Sequence, residues 1–295
     1  MSLFSRNKTT FDGYIQATGE LQRVELYLDL GDAVLLAGPT GCGKTTMVEE
    51  LASRRGQELV TVVGSPDLSL RHLVGGYSLD GSGSVWRDGP LTRAVKNGLL
   101  FYLDEADRVT PEALAVFHSV IDHRRTLFVA GRDETCPAAA GFRFIASYNP
   151  CGRGGSALTE AFRQRCRFVG CGYLPPEQEE NLLQSRTGIA GKDAAYLVKI
   201  AEITRTRGLV PCGGGASTRL LLFAGAALSR GVSRDAVLVD CIIGPLSDDP
   251  ATVQALMKAL QTAGLAKGAV PAGICAPRLP DVSGMSDDAF FDTVN

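Results

Sequence analysis

The chain has 295 residues, 45% of them hydrophobic, enough to bury a sizeable core in one large domain or two modest ones. With 30 Lys+Arg against 32 Asp+Glu the net charge is −2, so there is no global pull toward phosphate backbones or anionic membranes, and nucleic acid is disfavoured as a partner. The longest strongly apolar run, residues 220–228, falls far short of the roughly 18–20 residues of a membrane helix, and residues 1–20 lack the apolar core of a signal peptide; no membrane insertion and a cytoplasmic location are expected.

In chain order, residues 32–37 read as a short buried strand running into a glycine loop, and 45–55 have helical composition. Residues 59–63, 99–104, 142–147 and 167–170 read as further buried strands, with helical stretches between several of them. That alternation predicts an α/β sandwich with a mostly parallel sheet. Between 65 and 89 the chain is rich in Gly, Ser and Asp, and Gly81-Ser82-Gly83 resembles a hairpin tip, so about 66–89 reads as an insertion. Pro175-Pro176 ends the preceding structure, because proline lacks an N–H and restricts the residue before it. Beyond it, 177–187, 193–206, 218–229 and 251–263 are helix-like runs between Gly-rich breaks, which predicts a small helical domain. Residues 268–295, rich in Pro and Gly and acidic near the end, read as a poorly ordered tail. The expected division is 1–174, 175–267 and 268–295. The cysteines, at 42, 136, 151, 166, 171, 212, 241 and 275, form no CxxC pair, and His72, His118 and His123 add no zinc-type spacing; reduced structural thiols and no protein-bound metal are expected.

Gly38-Pro39-Thr40-Gly41-Cys42-Gly43-Lys44-Thr45 fits G-x-x-x-x-G-K-[ST] where a P-loop must sit, after an apolar strand and before a helix. The glycines let backbone N–H groups converge on the β-phosphate of ATP, and the helix that begins at Thr45, with Thr46 also expected at the nucleotide, adds its partial positive charge. Lys44 then bridges the β- and γ-phosphates, and the Thr45 hydroxyl ligates Mg²⁺. The apolar strand at 99–103 delivers Asp104 and Glu105 at its C-terminal end, where ligands of open α/β sheets bind. Asp104 suits Mg²⁺ positioning through water and Glu105 a base that polarises the attacking water, against the alternative of an acidic strand cap. Asp107 reads as a solvated charge.

The strand at 142–147 ends in Tyr148-Asn149-Pro150, which places Asn149 as a sensor of the γ-phosphate or lytic water; a plain Asn-Pro turn is the alternative. Arg163, Arg165 and Arg167 cluster before the last strand. Arg165 first, then Arg163, suits a finger that reaches the nucleotide of a neighbouring subunit, and a solvated basic face is the alternative. Ser217-Thr218-Arg219 opens a helix with Ser217 as N-cap and a cation in the first turn, where it opposes the helix dipole. The γ-phosphate would compensate Arg219; an ordinary salt bridge is the alternative.

In this order the motifs resemble those of MoxR-type AAA+ ATPases of the CbbQ/NirQ/NorQ/GvpN group, over about residues 20–260. More particular matches are Val74-Gly75-Gly76-Tyr77-Ser78-Leu79-Asp80, Trp86-Arg87-Asp88-Gly89-Pro90-Leu91-Thr92, Asp122-His123-Arg124-Arg125, Ser147-Tyr148-Asn149-Pro150 and Ser217-Thr218-Arg219-Leu220-Leu221. The resemblance implies an AAA+ P-loop three-layer α/β sandwich with a parallel five-stranded sheet, followed by a small all-helical lid domain. It further implies ATP and Mg²⁺ as cofactors, a homo-hexamer, and an insertion (about 66–89) and hairpin (about 124–142) that face the ring pore. The partners it implies are a von Willebrand factor A domain adaptor protein and a client metalloenzyme such as Rubisco or nitric oxide reductase. A nucleic-acid-associated AAA+ ATPase and a metal-chelatase ATPase subunit are the alternatives. At 107–117 the sequence departs from the Rubisco-activating type, with a more ordinary helix after the acidic pair.

Overall fold

The computed structural model describes residues 13–81, 83–150, 158–206, 209–210 and 214–266. Ser82 of the expected hairpin tip, Cys151, Cys212, Cys275 and the expected tail at 268–295 lie outside the described residues. The first part of the chain runs α1 (Glu20–Asp29), β1 (Ala33–Ala37), α2 (Lys44–Arg54), β2 (Leu59–Val63), α3 (Leu70–Val74), β3 (Gly75–Asp80), β4 (Gly83–Asp88), α4 (Pro90–Asn97) and β5 (Leu100–Asp104). It continues through α5 (Pro111–Leu114), α6 (His118–Ile121), β6 (Thr126–Val129), β7 (Glu134–Pro137), β8 (Arg143–Tyr148), α7 (Glu160–Arg163) and β9 (Cys166–Gly170). Helices follow: α8 (Pro176–Thr187), α9 (Gly191–Thr204), α10 (Thr218–Leu228), α11 (Arg234–Val237), a π-helical stretch Leu238–Ile243, α12 (Gly244–Leu246) and α13 (Pro250–Thr262).

Strand alternation sets the layers. Val34 and Leu36 of β1, Leu100 and Tyr102 of β5 and Ile145 of β8 pack with Leu21, Val24 and Leu28 of α1 and Met47, Val48 and Leu51 of α2. Their neighbours Ala33, Leu35, Phe101, Leu103, Phe144 and Ala146 point the other way, onto Leu91, Val95, Phe117 and Phe162. A strand buried on both faces needs a continuous apolar run, which is what β1 and most of β5 supply. The sheet order is β2-β5-β8-β1-β9, every pair parallel, so the fold is the expected three-layer α/β sandwich. The helices after β9 bury a core of their own around Leu183, Leu197, Leu221, Ile242 and Leu256.

Two features position the functional edge. Parallel register puts Leu36 beside both Ser147 and Val169, and Val63 beside Asp104, so the strands carrying the motifs end on one side of the sheet. Phe162 of α7 is fully buried against Phe117 and Phe144, at ring centroid distances of 6.5 and 6.2 Å. Burying one such ring is worth about 1.5–3 kcal/mol, which holds the short helix that leads into the arginine cluster. The insertion folds as α3 and an antiparallel β3–β4 hairpin, and β6–β7 forms a second hairpin within the expected 124–142 segment. Helix α1 was not expected; Leu21, Val24 and Leu28 give it an apolar stripe at helical spacing.

Candidate functional site

Residues 38–43 form a tight turn between β1 and α2 whose glycines are required by contact as well as by conformation. Gly41 and Gly43 have φ of 71° and 97°, and a Cβ on Gly41 would lie 2.7 Å from the Cβ of Ser217. A Cβ on Gly38 would meet the Cys171 carbonyl oxygen at 2.4 Å. Lys44 Nζ donates to the carbonyls of Gly38 and Pro39, at 2.8 and 3.0 Å, curling its side chain back over the loop. Cys42 is half-buried there, and burial pushes its thiol pKa up.

Across the sheet edge the Thr45 hydroxyl donates to Asp104 Oδ2 at 3.3 Å. The other oxygen, Oδ1, accepts from the Ser147 hydroxyl at 2.5 Å, the Tyr102 hydroxyl at 2.9 Å and the Glu105 amide at 3.0 Å. Asp104 is therefore fixed on one oxygen and shares the other with Thr45. This all-oxygen pair suits a hard divalent cation such as Mg²⁺ held beside a triphosphate, and the close packing of Gly38, Gly41 and Gly43 against Cys171, Ser217 and Tyr14 leaves no room for side chains in the turn beside it.

Glu105 is exposed and its backbone sits in the left-handed region, φ 52°, a conformation costing a non-glycine residue on the order of 1 kcal/mol. Gly64 makes room for it: a Cβ there would lie 2.3 Å from the Glu105 carbonyl oxygen. Arg108 Nη1 donates to the Glu105 carboxylate at 2.8 Å. Asn149 Nδ2 donates to Thr40 Oγ1 at 3.1 Å, which ties the end of β8 to the glycine turn. Asp107, expected to be a solvated charge, is instead half-buried: burial pushes its carboxyl pKa up, partly offset by hydrogen bonds from its own amide and that of Asn149.

One cavity is lined together by Thr40, Gly41, Gly43, Lys44, Thr45, Thr46, Asp104, Glu105, Asn149 and Arg219. Arg219 reaches it from the first turn of α10, whose start the Ser217 hydroxyl caps by accepting from the Leu220 amide at 3.3 Å. Among the described residues Arg219 forms no ion pair with a carboxylate. Arg163 and Arg165 do not line this cavity. Arg165 lies 3.5 Å from Asp122, Arg163 is exposed at the end of α7, and Arg167 pairs with Asp32 at 2.7 Å on the surface.

Beside the glycine turn a cavity of about 280 Å³ is lined mainly by Tyr14, Ile15, Cys42, Leu174, Leu182 and Leu222, with Thr46, Thr218, Arg186 and Arg219 also on its wall, a largely apolar slot suited to a nucleobase. Buried Glu20 shapes it by accepting from the Tyr14 hydroxyl at 2.7 Å and from the Ala17 and Thr18 amides at 2.8 and 2.6 Å. Burial pushes the Glu20 carboxyl up, but these bonds outweigh it and hold the pKa below its usual value. On the other side Tyr173 donates to the Thr40 carbonyl at 3.1 Å and carries Arg205 over its ring at 3.7 Å. Neither Tyr14–Glu20 nor Tyr173–Arg205 has a local sequence signal.

An AAA domain model of the dynein-related subfamily matches residues 33–166, and a CbbQ/NirQ/NorQ C-terminal model matches residues 179–263. The sequence is 38% identical over 231 residues to the denitrification regulatory protein NirQ of Stutzerimonas stutzeri, covering 77% of this chain and 83% of that one. It is 35% identical over 270 residues to the protein CbbQ of Hydrogenophilus thermoluteolus, covering 89% of this chain and 99% of that one. Among solved structures, NtrX from Brucella abortus shares the fold with a TM-score of 0.51 at 18% identity, over 75% of this chain and 52% of that one.

Proposed function

Because the chain belongs to the CbbQ/NirQ/NorQ family of AAA+ ATPases, we propose that it hydrolyses ATP as a subunit of a homo-hexamer and uses the cycle to remodel a client protein. The observation that carries this reading is the single cavity in which the glycine turn, Asp104, Glu105, Asn149 and the helical region's Arg219 meet. In it Lys44 turns from the Gly38 and Pro39 carbonyls to the β- and γ-phosphates, a point charge moving between acceptors already within its reach. Glu105 takes a proton from the water that attacks the γ-phosphorus, and Asn149 orients that water or a γ-oxygen without adding charge. Thr45 and Asp104 would hold Mg²⁺, which when bound neutralises charge on the phosphate oxygens. Arg219 closes on the γ-phosphate and so makes the position of the helical region depend on the nucleotide.

Arg165 acts on the neighbouring subunit's nucleotide, since it stands away from its own. The β3–β4 hairpin carries exposed Tyr77, Leu79 and Val85, and an apolar surface of this kind fits a protein client better than a phosphate backbone. A metalloenzyme activated together with a von Willebrand factor A domain adaptor is the client class that the family suggests.

Two variants test the assignment. Lys44→Ala is expected to lose at least ~10²-fold in ATP affinity by calorimetry while melting like the parent chain, because Lys44 is the cation of the phosphate cradle and Ala suits the start of α2; unchanged affinity would remove Lys44 from the site. Arg165→Ala subunits and Glu105→Gln subunits, each nearly inactive alone, are expected to recover hydrolysis when co-assembled, since one supplies the base and the other the finger. Mixed rings that form and stay inactive at every ratio would rule out shared sites.

A further inference from the structure

We propose that Asp122 is a positioning residue that aims the Arg165 guanidinium at the neighbouring subunit's γ-phosphate and links that aim to the β6–β7 hairpin. The inference rests on the trans-acting reading of Arg165 given above. Asp122 follows α6, and its side chain is 13% exposed. Its Oδ1 accepts from the Arg124 amide at 3.0 Å and from Arg124 Nε at 3.1 Å, and its Oδ2 accepts from Arg124 Nη2 at 2.7 Å. That same Oδ2 lies 3.5 Å from Arg165 Nε. The carboxylate is thus clamped by the residue that leads into β6 and offers its remaining edge to the arginine.

Arg165 is held a second time, by Nη1 donating to the Ala161 carbonyl at 2.7 Å, next to a helix whose Phe162 is fully buried in the core. The Nε contact with Asp122 is an ion pair and one Nη1 hydrogen is engaged, so the remaining Nη hydrogens are available to an acceptor outside the chain, and a third of the side chain, 33%, is exposed. A guanidinium fixed in this way loses less rotamer freedom on meeting a phosphate than one that is loose. Arg163 has no such anchor among the described residues and is exposed, which separates the two candidates for the finger. Because Arg124 opens the segment leading into the hairpin, a client displacing β6–β7 pulls on the carboxylate that aims Arg165.

The experiment compares Asp122→Asn, Arg165→Ala and the double variant in steady-state hydrolysis, with mass photometry on the same samples. Asp122→Asn is expected to assemble, to lose about tenfold in kcat and to change KM by less than about twofold, because misaim is felt in the transition state. The double variant is expected to be no slower than Arg165→Ala alone. If Arg165→Ala turns over normally, the trans-acting reading itself falls. If Arg165→Ala is inactive but assembled Asp122→Asn has the parent kcat, or if the two losses multiply in the double variant, only the positioning role of Asp122 is overturned. Should Asp122→Asn assemble poorly alone, it is co-assembled with Glu105→Gln subunits, whose intact fingers are expected to restore hydrolysis at the Asp122→Asn subunits' sites. Inactive mixed rings, in a mixture where Arg165→Ala with Glu105→Gln is active, would place the defect in cis and overturn the inference.

Discussion

Glu105→Gln is expected to bind ATP with the parent affinity and to lose about 10²–10⁴-fold in kcat, the contribution of a positioned general base. The amide keeps the shape of the carboxylate but does not accept the water's proton. Folding should be untouched, because the Glu105–Arg108 pair is surface-exposed, 49% and 53% at the two side chains, and such pairs contribute about 0–1 kcal/mol. The binding contacts are elsewhere: Lys44, the amides of the glycine turn and Thr45 line the cavity independently of the Glu105 side chain. Single-turnover hydrolysis beside equilibrium nucleotide binding separates the two effects. A variant that no longer binds ATP, or that hydrolyses it at the parent rate, would refute Glu105 as the base.

Glu179→Ala is expected to destabilise the fold by about 3–5 kcal/mol, because it strands a mostly buried cation. Glu179 is fully buried at the start of α8 and accepts hydrogen bonds from Nη1 and Nη2 of Arg205, at 2.8 and 2.9 Å, and from the Thr218 hydroxyl at 2.6 Å. Arg205 is 16% exposed and also donates to the Ala216 carbonyl at 2.8 Å, so its charge stays in place when the carboxylate is gone. The surface pair Arg54–Glu50 has the same chemistry, yet Glu50→Ala should cost under about 1 kcal/mol because water replaces the partner. The function should follow the structure. Thr218 adjoins Arg219, and Arg205 lies on Tyr173, whose hydroxyl bonds the Thr40 carbonyl, so the buried pair joins the helical region to the glycine turn. Urea unfolding of Glu179→Ala beside Glu50→Ala checks this; a loss below about 1 kcal/mol at Glu179 would show that the pair does not tie α8, α9 and α10 together.

What the sequence disclosed followed from how local each signal is. The glycine-turn motif is eight consecutive residues, 38–45, after an apolar strand and running into a helix, and its spacing points to the backbone it adopts. The central strands β1, β5 and β8 were legible because parallel strands buried on both faces need unbroken apolar runs, whereas β2 and β9, expected to be buried as well, are edge strands that leave Val63 and Phe168 exposed. The Ser217 cap was legible for the same reason, a polar residue just before an apolar helical run. Helix α1 was passed over because Glu20, Arg23 and Glu25 interrupt a short stripe whose burial depends on packing against β1 and β9.

The rest depended on contacts that chain order does not reveal. Arg205 meets Glu179 across 26 residues, and Tyr173 meets Thr40 across 133. The half-buried position of Asp107 was not legible because the Asn149 amide that bonds its carboxylate arrives from the end of another strand. Ser147 and Tyr102 read as ordinary strand residues, and only the β5–β8 pairing brings both hydroxyls onto Asp104. Arg163 and Arg165 look alike in the sequence for the same reason, since Asp122, which pairs with Arg165 at 3.5 Å, lies 43 positions earlier at the end of α6.

The most direct test of the central claim is ATP hydrolysis per chain measured across protein concentration, with mass photometry of the same samples with and without Mg-ATP. A ring that shares its nucleotide sites predicts specific activity rising cooperatively as the hexamer appears. A monomer that hydrolyses ATP equally well per chain would contradict it, and would leave Arg165 with no role in catalysis.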